Sequence, residues 1–190
     1  MQTKPSGSLF VVSGPSGVGK GTLVDHLRGA LNNIWVSVST TTRDPRPGDV
    51  EGVTYNFVSV DEFEQAIAND EFIEYANVYG NYYGTPIKYI KYHLDKGENV
   101  ILEIDVQGGF QVKNIFKDAV LIFIAPPSLE VLEQRLRGRK SDNDETIRNR
   151  LTIAKKEIEA SKKYDEIIIN DNLNKATQDL IKVVQSRTAM

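Results

Sequence analysis

Leu9-Phe-Val-Val-Ser13, followed by Gly14-Pro-Ser-Gly-Val-Gly-Lys20-Gly-Thr22, decides how the rest of the chain is read. A short apolar run that ends in glycine reads as a strand buried on both faces. Past the glycines the pattern becomes helical, from about Lys20 to Leu31. Between strand and helix, glycines let successive backbone N–H groups turn inward toward a polyphosphate, and the helix N-terminus adds partial positive charge. Lys20 then stands where it reaches the β- and γ-phosphates of a nucleotide. A glycine-rich turn with an incidental lysine is the plain alternative, but a strand before and a helix after are the context the phosphate motif requires. Gly14, Pro15, Ser16, Gly17, Val18, Gly19, Lys20, Gly21 and Thr22 together form the candidate site for a nucleotide's phosphates.

Working outward, Val100 to Ile104, Val120 to Ile124 and Glu166 to Asn170 are further buried-strand candidates, and Trp35 to Ser39 is a weaker fifth. Helical stretches separate them, and the last runs from about Leu173 to Gln185. Apolar strands interleaved with helices predict an α/β fold, a doubly wound parallel sheet of about five strands. Residues 43 to 87 break the alternation. Pro45, Pro47, Gly48 and Gly52 mark turns, while Thr54 to Val58 and Phe72 to Tyr79 look like strands of a small α+β insert.

Composition narrows the chemistry. The 190 residues, 40% of them apolar and 26% charged, fit one globular domain, with room for small mobile subdomains. There is no Cys, and His26 and His93 are the two histidines, so thiol catalysis, disulfides and Cys- or His-rich metal sites are excluded. The net charge of −3 gives no reason to expect nucleic acid or an anionic membrane as partner. No apolar run approaches the ~18 residues of a membrane span, and Met1 to Ser8 lack the apolar core of a signal peptide, so a soluble cytoplasmic protein is expected. The total hides opposed segments. Pro47 to Ile87 carry eight acidic residues and no Lys or Arg, whereas Ser128 to Lys156 carry eight basic against five acidic residues. Seven of the eight tyrosines fall between Tyr55 and Tyr92, beside that acidic stretch.

Three features bear on phosphate chemistry. Gly21 stands where the phosphate motif usually has a Ser or Thr whose hydroxyl meets Mg²⁺; Thr22 comes next, as in the Gly-Lys-Gly-Thr loops of adenylate kinases. Asp105 ends a predicted strand, where an acid holds Mg²⁺ through water or else caps the helix that follows. Arg43 and Arg46, three apart and held by prolines, form either a fork-shaped clamp for a phosphate or a basic surface turn.

With the phosphate loop, Ser39 to Asp49, Glu74 to Thr85, Ile104-Asp-Val-Gln-Gly108, Ile124 to Ser128, Arg135 to Arg139 and Asn170-Asp171 taken in order, the chain resembles guanylate kinase over about Leu9 to Gln185. The resemblance implies a phosphate-loop NTPase core (about 5–38, 88–127 and 158–190), a GMP-binding insert (about 39–87) and a helical lid (about 128–157) within one domain. It implies that Arg43 and Arg46 bind the GMP phosphate with the hydroxyls of Tyr55 and Tyr83. Glu74 would read the guanine base, with Ser39 and Thr85 nearby and Glu103 at the base amine, where the family usually has Asp. Lys20, Arg43 and the lid's Arg135, Arg139 and Arg150 would be the catalytic cations. Asp105 would hold Mg²⁺ through water, Thr22 would assist, and Asn170 would wall the adenine. The chemistry is consistent: guanine presents N1–H and N2–H₂ side by side to a carboxylate, while adenine lacks both donors and would leave a buried Glu74 unpaired. The implied reaction is direct in-line transfer from ATP to GMP, and also to dGMP, in purine recycling. Two rivals stand beside it: a related scaffold that binds a phosphorylated peptide, and a kinase of the same fold acting on another small molecule. A solvated pair of amphipathic helices is the bland reading of the lid, and ordinary packing that of the tyrosines. The sequence leaves the oligomeric state open.

Overall fold

The computed structural model describes residues 7–78, 80–138 and 143–188. The chain runs β1 (Leu9–Ser13), α1 (Lys20–Ala30), β2 (Ile34–Val36), β3 (Thr40–Thr41), β4 (Asn56–Phe57), α2 (Val60–Ala68), β5 (Phe72–Val78) and β6 (Asn81–Pro86). It continues with α3 (Ile87–Asp95), β7 (Asn99–Glu103), α4 (Val106–Ile115), β8 (Val120–Ala125), α5 (Leu129–Gly138) and α6 (Asp144–Ala160). A 3₁₀ turn (Ser161–Lys163), β9 (Glu166–Ile169) and α7 (Leu173–Thr188) complete it.

The strand before the phosphate loop is the centre of the molecule. β1 lies between β7 and β8 in a parallel sheet of order β2-β7-β1-β8-β9, with Val11 opposite both Leu102 and Leu121. Successive side chains of a strand point to opposite faces. Phe10 and Val12 therefore join Leu23, Leu27, Leu132 and Leu180 on one side, while Leu9 and Val11 join Ile90, Leu94, Val112 and Phe123 on the other. Helices cover both faces, as expected of a doubly wound sheet, and the loop after β1 opens at the C-terminal edge where such folds bind ligands.

Two edges depart from the expectation of strands buried throughout. β9 pairs with β8 alone, so Ile168 faces the core while Ile167 and Ile169 are 51% and 57% exposed. At the opposite edge β2 stops at Val36, and Thr40–Thr41 leaves for a second sheet of order β4-β3-β6-β5. That sheet is the insert. Its backbone is the β5–β6 hairpin, in which Glu74 pairs with Thr85; β6 and α2 were not expected from the sequence.

Helix α2 has a local cause. The Ser59 hydroxyl accepts from the Glu62 N–H at 3.2 Å, and a Glu62 oxygen accepts from the Ser59 N–H at 2.8 Å, a reciprocal cap. Phe63, fully buried, then stacks on Phe72 and Tyr82, pinning the helix to the hairpin. Ser59→Ala is expected to cost about 1 kcal/mol of local stability, read as faster amide hydrogen exchange in α2 with α1 unchanged.

The two helices of the expected lid are not separate from the core. Leu132 and Leu136 of α5, and Ile147 and Ala154 of α6, belong to the same buried cluster as Phe10 and Val12. Arg137 ties the pair together, meeting Glu133 at 2.8 Å and Asp144 at 2.5 Å.

Candidate active site

The phosphate loop owes its path to glycines in the left-handed region. Gly17 and Gly19 have φ of 86° and 99°, values that only glycine adopts at low cost. At Gly19 a Cβ would also stand 2.8 Å from the Asn170 amide nitrogen. That amide donates to the Val18 carbonyl at 2.9 Å, and Arg135 donates to the Asn170 carbonyl at 2.8 Å and reaches the Val18 carbonyl at 3.5 Å. Asn170 and Arg135 thus brace the loop backbone at Val18. Ser16, at the tip, accepts from Arg150 at 3.2 Å. Arg139 lies outside the described residues, as do Ser141 and Asp142 of the turn between the helices.

Lys20 is the first residue of α1 and folds back over the loop, its ammonium donating to the carbonyls of Gly14 at 2.6 Å and Pro15 at 3.3 Å. No side chain caps α1, and no acid occupies its first turn. The positive end of the helix is therefore directed at the loop, the arrangement that attracts phosphate. Thr22 is exposed in that first turn.

Across a cleft of about 860 Å³ stands the insert. Ser16 and Gly21 line one wall; Ser39, Tyr55, Glu74 and Tyr83 line the other, with Glu103 and Asp105 between them. One Asp49 oxygen accepts from the Arg43 guanidinium at 2.8 Å and from the Arg46 N–H at 2.8 Å, so it fixes the whole basic turn. These bonds, first the Arg46 N–H and then Arg43, hold the Asp49 carboxyl below its ordinary value. The Arg43 guanidinium lies 5.4 Å from the Tyr55 ring and 5.8 Å from the Phe57 ring. Tyr55 and Tyr83 meet edge to face at 5.9 Å. Arg46 is exposed.

Glu74 is the most constrained carboxylate of the site. It is 7% exposed and accepts from the Thr85 hydroxyl at 2.6 Å across the hairpin. Burial pushes its carboxyl to about 7, against the Thr85 hydroxyl, and the charge of Asp105 adds to the rise. Its second oxygen would be 2.9 Å from a Cβ on Gly108, so that glycine lets α4 approach the insert. Glu103, accessible from the cleft, is also held above its ordinary value by the protein around it, with Lys20 opposing and Asp25 adding. Ser39 lines the cleft while its carbonyl accepts from the Asn56 N–H at 2.9 Å.

Both readings of Asp105 bear on its two oxygens. One accepts from the Gly108 N–H at 2.7 Å and caps α4; the side chain is nevertheless exposed in the cleft. Among the described residues no three acids or histidines converge as a metal cage. That donor set fits a hard cation held mostly by phosphate oxygens and water, as Mg²⁺ usually is. At Gly21 a Cβ would sit 3.6 Å from Glu103, an ordinary contact, so the missing hydroxyl there does not follow from crowding.

Sequence reasoning passed over Asp49 as an anchor of the clamp. The signal was present in Arg43-Asp-Pro-Arg46-Pro-Gly-Asp49, where a turn residue three past an arginine is placed to cap the turn.

Residues 6–187 match the family model described as Guanylate kinase. A guanylate kinase of Fusobacterium nucleatum is 51% identical over 180 residues, covering 95% of this chain and 97% of that protein. One from Carboxydothermus hydrogenoformans is 49% identical over 178 residues, covering 94% and 87% respectively. Among solved structures, the crystal structure of guanylate kinase from Anaplasma phagocytophilum is similar with a TM-score of 0.81 and 36% identity, over 98% of this chain and 89% of that one.

Proposed function

The chain belongs to the guanylate kinase family, and from that premise we propose how its own residues carry a phosphoryl group from ATP to GMP. The observation that carries the reading is that the phosphate loop and the buried carboxylate of Glu74 open onto one cleft. ATP lies with its phosphates on Gly14 to Thr22, and GMP lies against the insert. Glu74 accepts from guanine N1–H and N2–H₂, helped by Ser39, Thr85 and Glu103. Arg43 and Arg46 take the GMP phosphate, with hydroxyls from Tyr55 and Tyr83. None of these contacts requires the ribose 2′-hydroxyl, so dGMP serves as well, in purine recycling.

Phosphoryl transfer asks the protein for alignment and charge neutralisation. Lys20 and Arg43 supply positive charge around the transferring group. Arg150, already at Ser16, adds a cation from α6; Arg135 stiffens the loop from α5 and turns to phosphate when ATP is bound, and Arg139 is a further catalytic cation. Asp105, through water, with Thr22 assisting, would hold Mg²⁺, which would supply neutralisation of the ATP phosphate charge. No helix among the described residues is long and apolar enough to cross a membrane. We place the enzyme in the cytoplasm, where both nucleotides are found.

A panel of GMP, dGMP, AMP, CMP and UMP with ATP and Mg²⁺, read as ADP release, tests the reading. GMP and dGMP are expected to turn over and the others to be poor acceptors. Phosphopeptide binding without ADP release would instead favour the scaffold reading, and preference for another acceptor would favour a sibling kinase.

A further inference from the structure

Helix α4 carries two consecutive glycines in its first turn, Gly108 and Gly109, both buried. Glycine is among the poorest helix formers, and neither residue has the positive φ that would call for one. The reason lies in the space around them. At Gly109 a Cβ would stand 2.6 Å from the Tyr164 hydroxyl and 3.4 Å from both the Ser13 hydroxyl and a Val11 methyl. At Gly108 it would stand 2.9 Å from one Glu74 oxygen, 3.3 Å from the Glu74 carboxyl carbon and 3.3 Å from the end of the Ile104 side chain. Glu74 has little freedom to yield. It is 7% exposed, and its other oxygen accepts from the Thr85 hydroxyl at 2.6 Å. Gly108 is held as well, because its N–H donates to the Asp105 carboxylate at 2.7 Å. Val106 of the same turn packs in one buried cluster with Ile73, the neighbour of Glu74 on β5. The Glu74 oxygen that does not meet the Thr85 hydroxyl thus rests against the bare Cα of a helix.

We propose that Gly108 determines specificity for the acceptor base, as a positioning residue whose missing side chain sets where the second Glu74 oxygen stands. A carboxylate reads guanine by laying its oxygens in the plane of N1–H and N2–H₂. Hydrogen bonds weaken steeply as their angle closes, so the orientation of the carboxylate matters as much as its charge. One Glu74 oxygen is tethered to Thr85. A methyl on Gly108 therefore turns the carboxylate about that bond and carries the second oxygen out of the plane of the base. Ile104 closes the other side, so the methyl does not escape the carboxylate by sliding past it. The arrangement also ties two acids of the cleft together. Asp105 caps the N–H of Gly108, and thereby holds the turn on which Glu74 rests. This inference rests on the kinase reading above.

The test compares two acceptors that differ by one donor: GMP, and inosine monophosphate, which keeps N1–H but lacks the 2-amino group. Gly108→Ala is expected to raise the KM for GMP about 30-fold, the worth of one hydrogen bond to a charged acceptor, with kcat and the KM for ATP unchanged. Inosine monophosphate has one bond fewer to lose, so the preference for GMP over it is expected to shrink about tenfold. Gly109→Ala is the control. Its crowding falls on Tyr164, so it is expected to lower the melting temperature and keep the wild-type preference between the two acceptors. Glu74→Asp draws the carboxylate back by one methylene and clears Gly108. On that background Gly108→Ala is expected to cost nothing further in the KM for GMP, a coupling that a double-mutant cycle reads. Wild-type protein that releases no ADP with GMP overturns the kinase reading and this inference together. Normal wild-type turnover with an unchanged KM for GMP in Gly108→Ala overturns the role of Gly108 alone. So does an equal loss for both acceptors, or the same shrunken preference in Gly109→Ala, since a general disturbance of α4 produces either. Should Gly108→Ala fail to fold, the double variant decides: GMP kinetics equal to those of Glu74→Asp support the role, and a further loss or a second failure to fold removes it.

Discussion

Lys20→Ala is expected to lower kcat by about 10³-fold or more while leaving a folded protein. The reason lies in where charge develops. In the transition state negative charge spreads over the oxygens of the transferring group, and a positioned ammonium meets it without reorganising. The structure also shows bonds within the loop that the substitution removes. The ammonium donates to the Gly14 and Pro15 carbonyls at 2.6 Å and 3.3 Å, each bond worth about 1 kcal/mol or less net. The loop itself is held by other means: the glycine torsions, the Asn170 amide on Val18, and Arg135 on Asn170. A fall of only a few degrees in melting temperature follows, about what 1 kcal/mol costs a domain of this size. Lys20→Arg keeps the charge but replaces a compact donor by a planar fork, so it is expected to rescue poorly. Steady-state ADP release beside thermal melting separates the two effects. A folded Lys20→Ala protein with more than half of wild-type turnover shows that the loop does not have this role.

The parts of the molecule that were legible in the sequence are those whose signal is local. β1, its glycines and α1 sit within a residue of their expected bounds, because burial on both faces and left-handed torsions leave their mark in the residues themselves. The insert was less legible. β4 lies inside the expected strand Thr54 to Val58, whereas β3 is two residues long, and so short a strand exists only because a partner strand is present. β6 carries Asn-Tyr-Tyr-Gly-Thr-Pro, with no alternation to read. α2 is a different case, since Ser59 and Glu62 form a capping signal in the sequence itself, and it was legible there but unused. At the site, motif position brings Arg135 and Asn170 to the loop, and the structure adds their hydrogen bonds to the Val18 and Asn170 carbonyls, which no motif specifies. A motif fixes neighbourhood, whereas the hydrogen bonds that turn a side chain inward depend on tertiary packing.

Glu74→Gln is expected to lower kcat/KM for GMP by about 10²-fold, the cost of losing two hydrogen bonds to a charged acceptor, without improving AMP. A carboxylate accepts on both oxygens. An amide of the same shape offers one acceptor and two donors. The Thr85 hydroxyl donates at 2.6 Å to one Glu74 oxygen, so the substituted amide keeps its carbonyl toward Thr85 and turns its NH₂ toward guanine. Donor then faces donor, which is why the loss exceeds that of a mere deletion. The same residue sets a pH dependence. Burial raises the Glu74 carboxyl from 4.5 to about 7. The ligand-free folded chain thus holds this proton more tightly than the unfolded chain does. The associated stability is complete below the unfolded value and is lost as pH rises through about 7. Guanine requires the opposite form, because a protonated acid has lost one of the two acceptor oxygens. GMP binding is therefore expected to expel the proton, and kcat/KM for GMP to rise about tenfold between about pH 6 and pH 8. In Glu74→Gln that rise should be absent, with the KM for ATP as the internal control. A Gln variant with wild-type GMP kinetics and a wild-type pH profile would remove Glu74 from base recognition and leave guanine to be read by another acid of the cleft, Glu103.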